Sequence, residues 1–315
     1  MKNIRFIEVR SEIGAGTRGS SLGLDAIKIA ALNAGDFMFN TIHSVEIPNE
    51  NYLLFENEGS PYAKRIEGIY RLYKNVMPTI ASTLLNGHFP IVLGGDHSIA
   101  GGTIAGIKKA FPGSRLGVIW IDAHADLHSP FTTPSGNMHG MAISASLAED
   151  NCEDKHNDIE ANTLEYWEKL KHIGGLSPKI NYEDLVYIAL RDTEHEEHYL
   201  LKKNKVKIIT TSKVKKNGIE CCITETISHL EACDLIYVSF DVDCMDASFI
   251  QGTGTPVRHG LNENEAGTIL EQLMLNKKVC CLEFSEVNPT FDTHNTTAEV
   301  TFRILKKALN QLAHK

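Results

Sequence analysis

Four short stretches of this chain carry side chains that could hold metal ions and activate water. They are Gly94-Gly95-Asp96-His97-Ser98, Asp122-Ala123-His124-Ala125-Asp126, Asp241-Val242-Asp243 and Glu286-Val287-Asn288-Pro289. Each follows a short apolar run that reads as a β-strand. In extended chain, residues i, i+2 and i+4 point to one side, so Asp122, His124 and Asp126 can converge, as can Asp241 and Asp243. The paired glycines permit a sharp turn that aims His97 at the same place. Two imidazoles and four carboxylates then meet. With neutral histidines they carry four negative charges, which repel when clustered and partly desolvated. Two divalent cations cancel that charge, and roughly 3.5–4 Å apart they share a water and make hydroxide available near neutral pH. Oxygen and nitrogen donors without thiolate favour manganese, with iron, cobalt or nickel as substitutes. Taken singly the motifs say little: a lone Asp-x-Asp is usually a turn or a helix cap, and GGDHS alone passes as a turn. Their order, and their common position at strand ends, is what points to a dimetal centre.

The elements that must position them alternate along the chain. Candidate strands are Arg5–Val9, Ile42–Ile47, Pro90–Leu93, Leu116–Ile121, Leu185–Leu190, Lys205–Ile209, Leu235–Phe240 and Val279–Phe284. Several are continuous in Val, Ile and Leu, which is how strands covered on both faces of a parallel sheet read. Amphipathic helices are expected over Ala63–Leu84, Asn264–Leu275 and Thr297–Leu312. This alternation predicts one doubly wound, three-layer α/β/α unit over residues 1–315 with a mostly parallel central sheet. Ligands bind at the carboxyl ends of the strands of such a sheet, where the four motifs fall. The polar stretch 149–181, with a helical centre around Ile159–His172, reads as a surface insertion or lid within that unit.

Bulk properties exclude some partners. A formal net charge of −9 over 315 residues lacks the basic footprint that a nucleic-acid partner needs. No stretch is long and apolar enough for a membrane span. Residues 1–13 carry Lys2, Arg5, Glu8, Arg10 and Glu12 instead of an apolar signal region, and seven cysteines include no C-x-x-C pair. Together these place the protein in the cytoplasm with free thiols.

The ordered set GGDHS, DAHAD, SFDVDCMD, GTGTP and EVNP resembles the ureohydrolase family of arginases, agmatinases and formimidoylglutamases, and within it the bacterial arginases, over nearly the whole chain. The resemblance implies an arginase-like fold, a dimanganese centre held by His97, Asp122, His124, Asp126, Asp241 and Asp243, and a homo-oligomer, trimer or hexamer. It implies hydrolysis of a small guanidino substrate by a metal-bridging hydroxide, with L-arginine giving L-ornithine and urea. Asp126 would hold the hydroxide and Glu286 would pair with the guanidinium. The segment Ser135-Gly136-Asn137-Met138-His139-Gly140 is similar to the arginase S-G-N-x-H-G. In that likeness Ser135 and Asn137 take the α-carboxylate and His139 shuttles protons. Thr255, before Pro256-Val257, matches the arginase-like T-P-V.

Two positions depart from the arginase pattern. His128 stands where the family commonly has Asn. Glu194, in Leu190-Arg191-Asp192-Thr193-Glu194, stands where the family has the Asp that meets the α-ammonium. A shifted binding mode or a different guanidino acid therefore stays open, as does agmatinase. Glu194, His195, Glu196, Glu197 and His198 read as a solvated helix start; Cys244 reads as a packing residue, and His156 and His172 as surface residues. A metallophosphoesterase is the rival from another reaction class, but its motif order fails here. A silent arginine-binding relative would usually have lost ligands, and all six are present.

Overall fold

The computed structural model describes residues 3–313; the outermost residues of the 1–315 unit lie outside it. Eight strands form one sheet: β1 (Asn3–Val9), β2 (Ser44–Glu46), β3 (His88–Gly94), β4 (Leu116–Ile121), β5 (Leu185–Ile188), β6 (Lys207–Ile209), β7 (Leu235–Asp241) and β8 (Val279–Ser285). Every pairing is parallel. The order is β2-β1-β3-β8-β7-β4-β5-β6. The chain runs out to one edge through β1 and β2, returns to β3, and crosses to β4. It runs out to the other edge through β5 and β6, and only then fills the centre with β7 and β8. The four strands that lead into the metal-type motifs are therefore the four contiguous central ones, β3, β8, β7 and β4. The reversal of direction leaves the crevice there.

Side chains alternate between two core layers, as strand geometry requires. On β4, Ile119 and Ile121 enter one layer with Phe240, Phe284 and the helix Thr296–Ala313. Leu116, Val118 and Trp120 enter the other, with Val76 and Ile80 of the helix Ile66–Leu85. The central strands are thus buried on both faces, the property that made their runs legible. A third cluster joins Ile69 and Tyr73 to Trp167 and Leu170 of the helix Ala161–Lys171, inside the 149–181 stretch. That stretch is pinned by Asp150, which accepts from Trp167 Nε1 at 2.7 Å and from Lys171 Nζ at 2.8 Å.

The differences from the expected boundaries have local causes. The first long helix starts at Ile66 rather than Ala63, because Arg65 is left-handed with φ of 56°. The sixth strand starts at Lys207, two residues late, after left-handed Lys205.

Candidate metal centre

The convergence expected of the strand ends is present, but extended backbone does not produce it. Asp122 follows β4 directly, and the chain then bends so that Asp126 lies in the left-handed region with φ of 50°. A repeated device makes each bend. The Asp122 Oδ1 accepts the His124 N–H at 2.7 Å, Asp241 Oδ1 accepts the Asp243 N–H at 2.8 Å, and Asp96 Oδ1 accepts the Ser98 N–H at 2.9 Å. An aspartate that caps the residue two further on curls the chain and leaves its second oxygen turned inward. The two glycines act differently from expectation as well. Neither is among the positive-φ residues. A Cβ on Gly95 would lie 1.9 Å from the Ser11 carbonyl oxygen, and one on Gly94 would lie 2.2 Å from Ile99 Cδ1. They permit close approach of β1 and the His97 turn, not a left-handed corner.

Six side chains meet at two adjoining foci. His97 Nδ1 lies 3.0 Å from Asp122 Oδ2, 3.2 Å from Asp126 Oδ2 and 3.1 Å from Asp241 Oδ2. His124 Nδ1 lies 2.9 Å from Asp243 Oδ2 and 3.5 Å from Asp122 Oδ1. Asp122 belongs to both foci through its two oxygens. His97 Nδ1 and Asp122 Oδ2 are both buried without an aligned hydrogen-bond partner, although they nearly touch. A nitrogen lone pair facing three carboxylate oxygens is the arrangement of ligands around a common cation, and these residues fit a pair of divalent ions. His97 is oriented from behind, its Nε2 2.7 Å from Ser239 Oγ and its ring stacked on Trp120 at 4.0 Å. Donation from Nε2 to Ser239 leaves Nδ1 free to bind metal.

The electrostatics show the same demand for positive charge. Burial raises the Asp241 carboxyl well above its ordinary range, and the neighbouring Asp243 and Asp122 raise it further. Asp126 is raised by burial and by Asp122. Asp122 alone is lowered, because His124 and His97 outweigh its burial.

A pocket of about 420 Å³ opens above the cluster. His124, Asp126, Asp241 and Asp243 are at its floor, and Ser135, Asn137, His139, His128, Glu194 and Thr255 line it. Ser135 Oγ accepts the Asn137 N–H, so its own proton is left to donate. A Cβ at Gly16 would meet Asn137 Nδ2 at 2.5 Å, so only glycine there lets the amide occupy its place. Thr255 Oγ1 donates to Asp243 Oδ2 at 3.0 Å. Glu286 is 2% exposed and left-handed at φ of 66°, with its Oε1 3.2 Å from His139 Nδ1. Burial acts to lower the His139 pKa, but Glu286 together with Asp126 and Asp96 raises it to about 9.

Glu197, expected in a solvated helix start, is turned inward and 2% exposed. With Glu194 it forms the reciprocal capping box of the helix His195–Lys203, beside His128. Cys244 is buried, His156 and His172 are exposed, and no disulfide links any of the seven cysteines. Sequence reasoning missed Asp96, Ser239 and Asp192. Asp96 stood inside GGDHS, and it accepts the Gly14 and Ser98 N–H groups at the back of the site. Burial and Glu286 raise its carboxyl to about 6. Ser239 carried no signal beyond sitting two residues before Asp241.

Comparison with known proteins agrees with this geometry. The sequence model of the arginase family matches residues 2–310. The arginase of Brevibacillus brevis is 34% identical, with 96% of each chain covered, and that of Bacillus caldovelox is 33% identical, with 97% of each covered. The solved structure of the Bacillus caldovelox arginase at pH 5.6 superposes with a TM-score of 0.83 over 98% of both chains. A formimidoylglutamase from Bacillus subtilis, 20% identical, shares the fold at a TM-score of 0.75.

Proposed function

This chain belongs to the arginase family, and from that premise we propose that it is a two-metal hydrolase that cleaves the guanidinium group of L-arginine to L-ornithine and urea. The observation that carries the proposal is Asp122, shared between two foci of imidazole and carboxylate ligands at the floor of a pocket whose wall offers neutral donors. His97, Asp122, Asp126 and Asp241 would hold one cation, and His124, Asp122 and Asp243 the other. Manganese suits these donors, with cobalt, iron or nickel as substitutes. Bound there, the cations supply the charge that offsets four carboxylates and lowers the pKa of water towards neutrality.

The residues divide the remaining work. Ser135 and Asn137 hold the substrate carboxylate with neutral donors, and Thr255 forms the facing wall while fixing Asp243. Glu286 is the carboxylate for the guanidinium side of the site, where it also fixes His139. Water adds to the guanidinium carbon, and the bond from that carbon to the ornithine nitrogen breaks. The Asp126 carboxylate takes the proton of the attacking water and passes it to that nitrogen, which leaves poorly until protonated. His139, held at Nδ1 by Glu286, exchanges protons with solvent.

The same reading keeps 149–181 as an insertion within a single unit, and places the protein in the cytoplasm as a trimer or hexamer. Exposed Ile29 and Leu32, one helical turn apart, offer an apolar stripe for subunit contact. No helix among the described residues is long and apolar enough to cross a membrane. Urea release from L-arginine, agmatine, 4-guanidinobutyrate and guanidine after manganese loading tests the substrate. Hydrolysis of L-arginine with little of agmatine is expected, because agmatine leaves Ser135 and Asn137 unpaired. Faster hydrolysis of agmatine, or bound metal with no urea from any compound, would sink the proposal.

A further inference from the structure

The outer end of the pocket holds three carboxylates that are not part of the metal cluster, Asp192, Glu194 and Glu197. A substrate ammonium has to be read by one of them. Glu197 is already filled: Oε1 accepts the Leu127 N–H at 3.0 Å and Oε2 accepts the Glu194 N–H at 3.2 Å. Glu194 closes the same capping box by accepting the Glu197 N–H, and its Oε2 lies 3.3 Å from His128 Nε2. His128 is fixed from its other side as well. Its Nδ1 is 3.2 Å from Thr132 Oγ1, and that hydroxyl oxygen accepts the Ser129 N–H, which leaves the hydroxyl proton to point at Nδ1. The imidazole therefore donates from Nε2 to Glu194 even when neutral. Asp192 remains, but its side chain is 62% exposed, and its Oδ2 lies 3.7 Å from His124 Nε2. A water-screened carboxylate of this kind strengthens an ion pair by at most about fivefold.

The carboxylate-reading side differs. There Ser135 and Thr133 use their oxygens to accept main-chain N–H groups and keep their hydroxyl protons for a ligand. We propose that this pocket reads the substrate's carboxylate and is nearly blind to its α-ammonium, so that the chain hydrolyses ω-guanidino acids without an α-amine, 4-guanidinobutyrate being the simplest, alongside L-arginine. The inference rests on the reading of the metal centre given above. The chemistry is the same addition of water, with urea and 4-aminobutyrate as products and no change of oxidation state.

The test compares kcat/KM for L-arginine and 4-guanidinobutyrate on manganese-loaded protein. A site with a dedicated partner for a polar group rejects the analogue lacking it by about 10⁴-fold, so a ratio below roughly thirtyfold supports the inference and a larger one overturns it. His128→Asn releases Glu194 and should raise the preference for L-arginine at least about tenfold, and adding Glu194→Gln to that variant should abolish the gain. An unchanged preference in His128→Asn overturns the inference; should that variant not fold, the wild-type ratio decides alone. Calorimetric affinities for L-ornithine and 4-aminobutyrate make the same comparison without turnover. Absence of urea from both substrates would therefore sink the hydrolase reading, while the two affinities still decide this one on the same thirtyfold criterion.

Discussion

Glu286 and His97 are 189 residues apart in the chain and meet at 2.8 Å, the His97 main-chain N–H donating to Glu286 Oε1. The same oxygen lies 3.2 Å from His139 Nδ1. One carboxylate thus fixes the turn that carries His97 and holds His139 in its charged form. Glu286→Gln keeps an oxygen for the His97 N–H but removes the charge beside His139. We expect kcat to fall by about 10²–10³-fold with metal content unchanged, as for loss of one positioned proton-transfer group. Urea release and metal analysis on the same sample check this. Metal lost in proportion to activity would show that Glu286 serves the cluster rather than His139.

His124 and His139 both line the pocket, yet only His124 reaches the carboxylates of the cluster. His124→Ala should lose metal and activity together, whereas His139→Ala should lower turnover with the metal retained. Stripping the metal from the wild type leaves the buried carboxylates of the cluster facing one another. A ligand at a hundred times its Kd contributes about 2.7 kcal/mol, so loss of two such ions from a 315-residue chain should lower Tm by roughly 8 °C. A Tm that ignores chelator, in a protein that contains metal before treatment, would contradict the assignment of these ligands.

How much of this was legible in the sequence depended on the physical origin of each feature. The central strands were readable because both their faces are buried, so apolar runs such as Leu116–Ile121 are continuous. The six cluster residues were readable because strand ends in a parallel sheet gather on one side, whatever the loops do. The loops themselves were misjudged. Nothing in Asp-x-His-x-Asp says that Asp122 will cap the His124 N–H, or that Asp126 will be left-handed. The glycine pair announced a turn but not the 1.9 Å approach of the Ser11 carbonyl to the place of a Gly95 Cβ, since Ser11 is distant in sequence. Glu197 could not be told from its solvated neighbours, because its burial depends on Leu127 arriving from another strand end. The contact of His128 with Glu194 was invisible for the same reason.

Arg191 is committed to main-chain carbonyls: those of Ala189, Asp243, Cys244, Met245, Val257 and Arg258. It ties the chain after β5 to both ends of the loop between Asp243 and Thr255, and so holds the wall that carries Thr255. Lysine has a point charge and three donors, too few to span that set. Arg191→Lys should destabilise the protein by about 1–3 kcal/mol, the range for lost hydrogen bonds to a charged group. It should raise KM for L-arginine more than it lowers kcat, because Thr255 moves while the cluster keeps its ligands. Denaturant melts with a KM and kcat pair check this, and an equal loss in kcat with unchanged KM would argue against the wall.

Glu283 is a fully buried carboxyl in β8, on the His97 side of the sheet, with Thr103 Oγ1 donating to its Oε2 at 2.5 Å and the Tyr237 hydroxyl beside it. Burial raises it to about 7, against hydrogen bonds and a nearby His97 that act to lower it. An unfolded glutamate releases its proton near 4.5. Between those two pH values the folded chain binds more protons than the unfolded one. Stability therefore falls as pH rises through this window, and the loss is complete above about pH 7. Glutamine can accept from Thr103 and carries no charge at any pH. In chelator-treated protein, Glu283→Gln should change stability little at pH 4.5 and raise it by about 2–3 kcal/mol at pH 8. Thermal or denaturant melts at the two pH values check this. A gain of the same size at both would show that packing, not the buried charge, separates the variants.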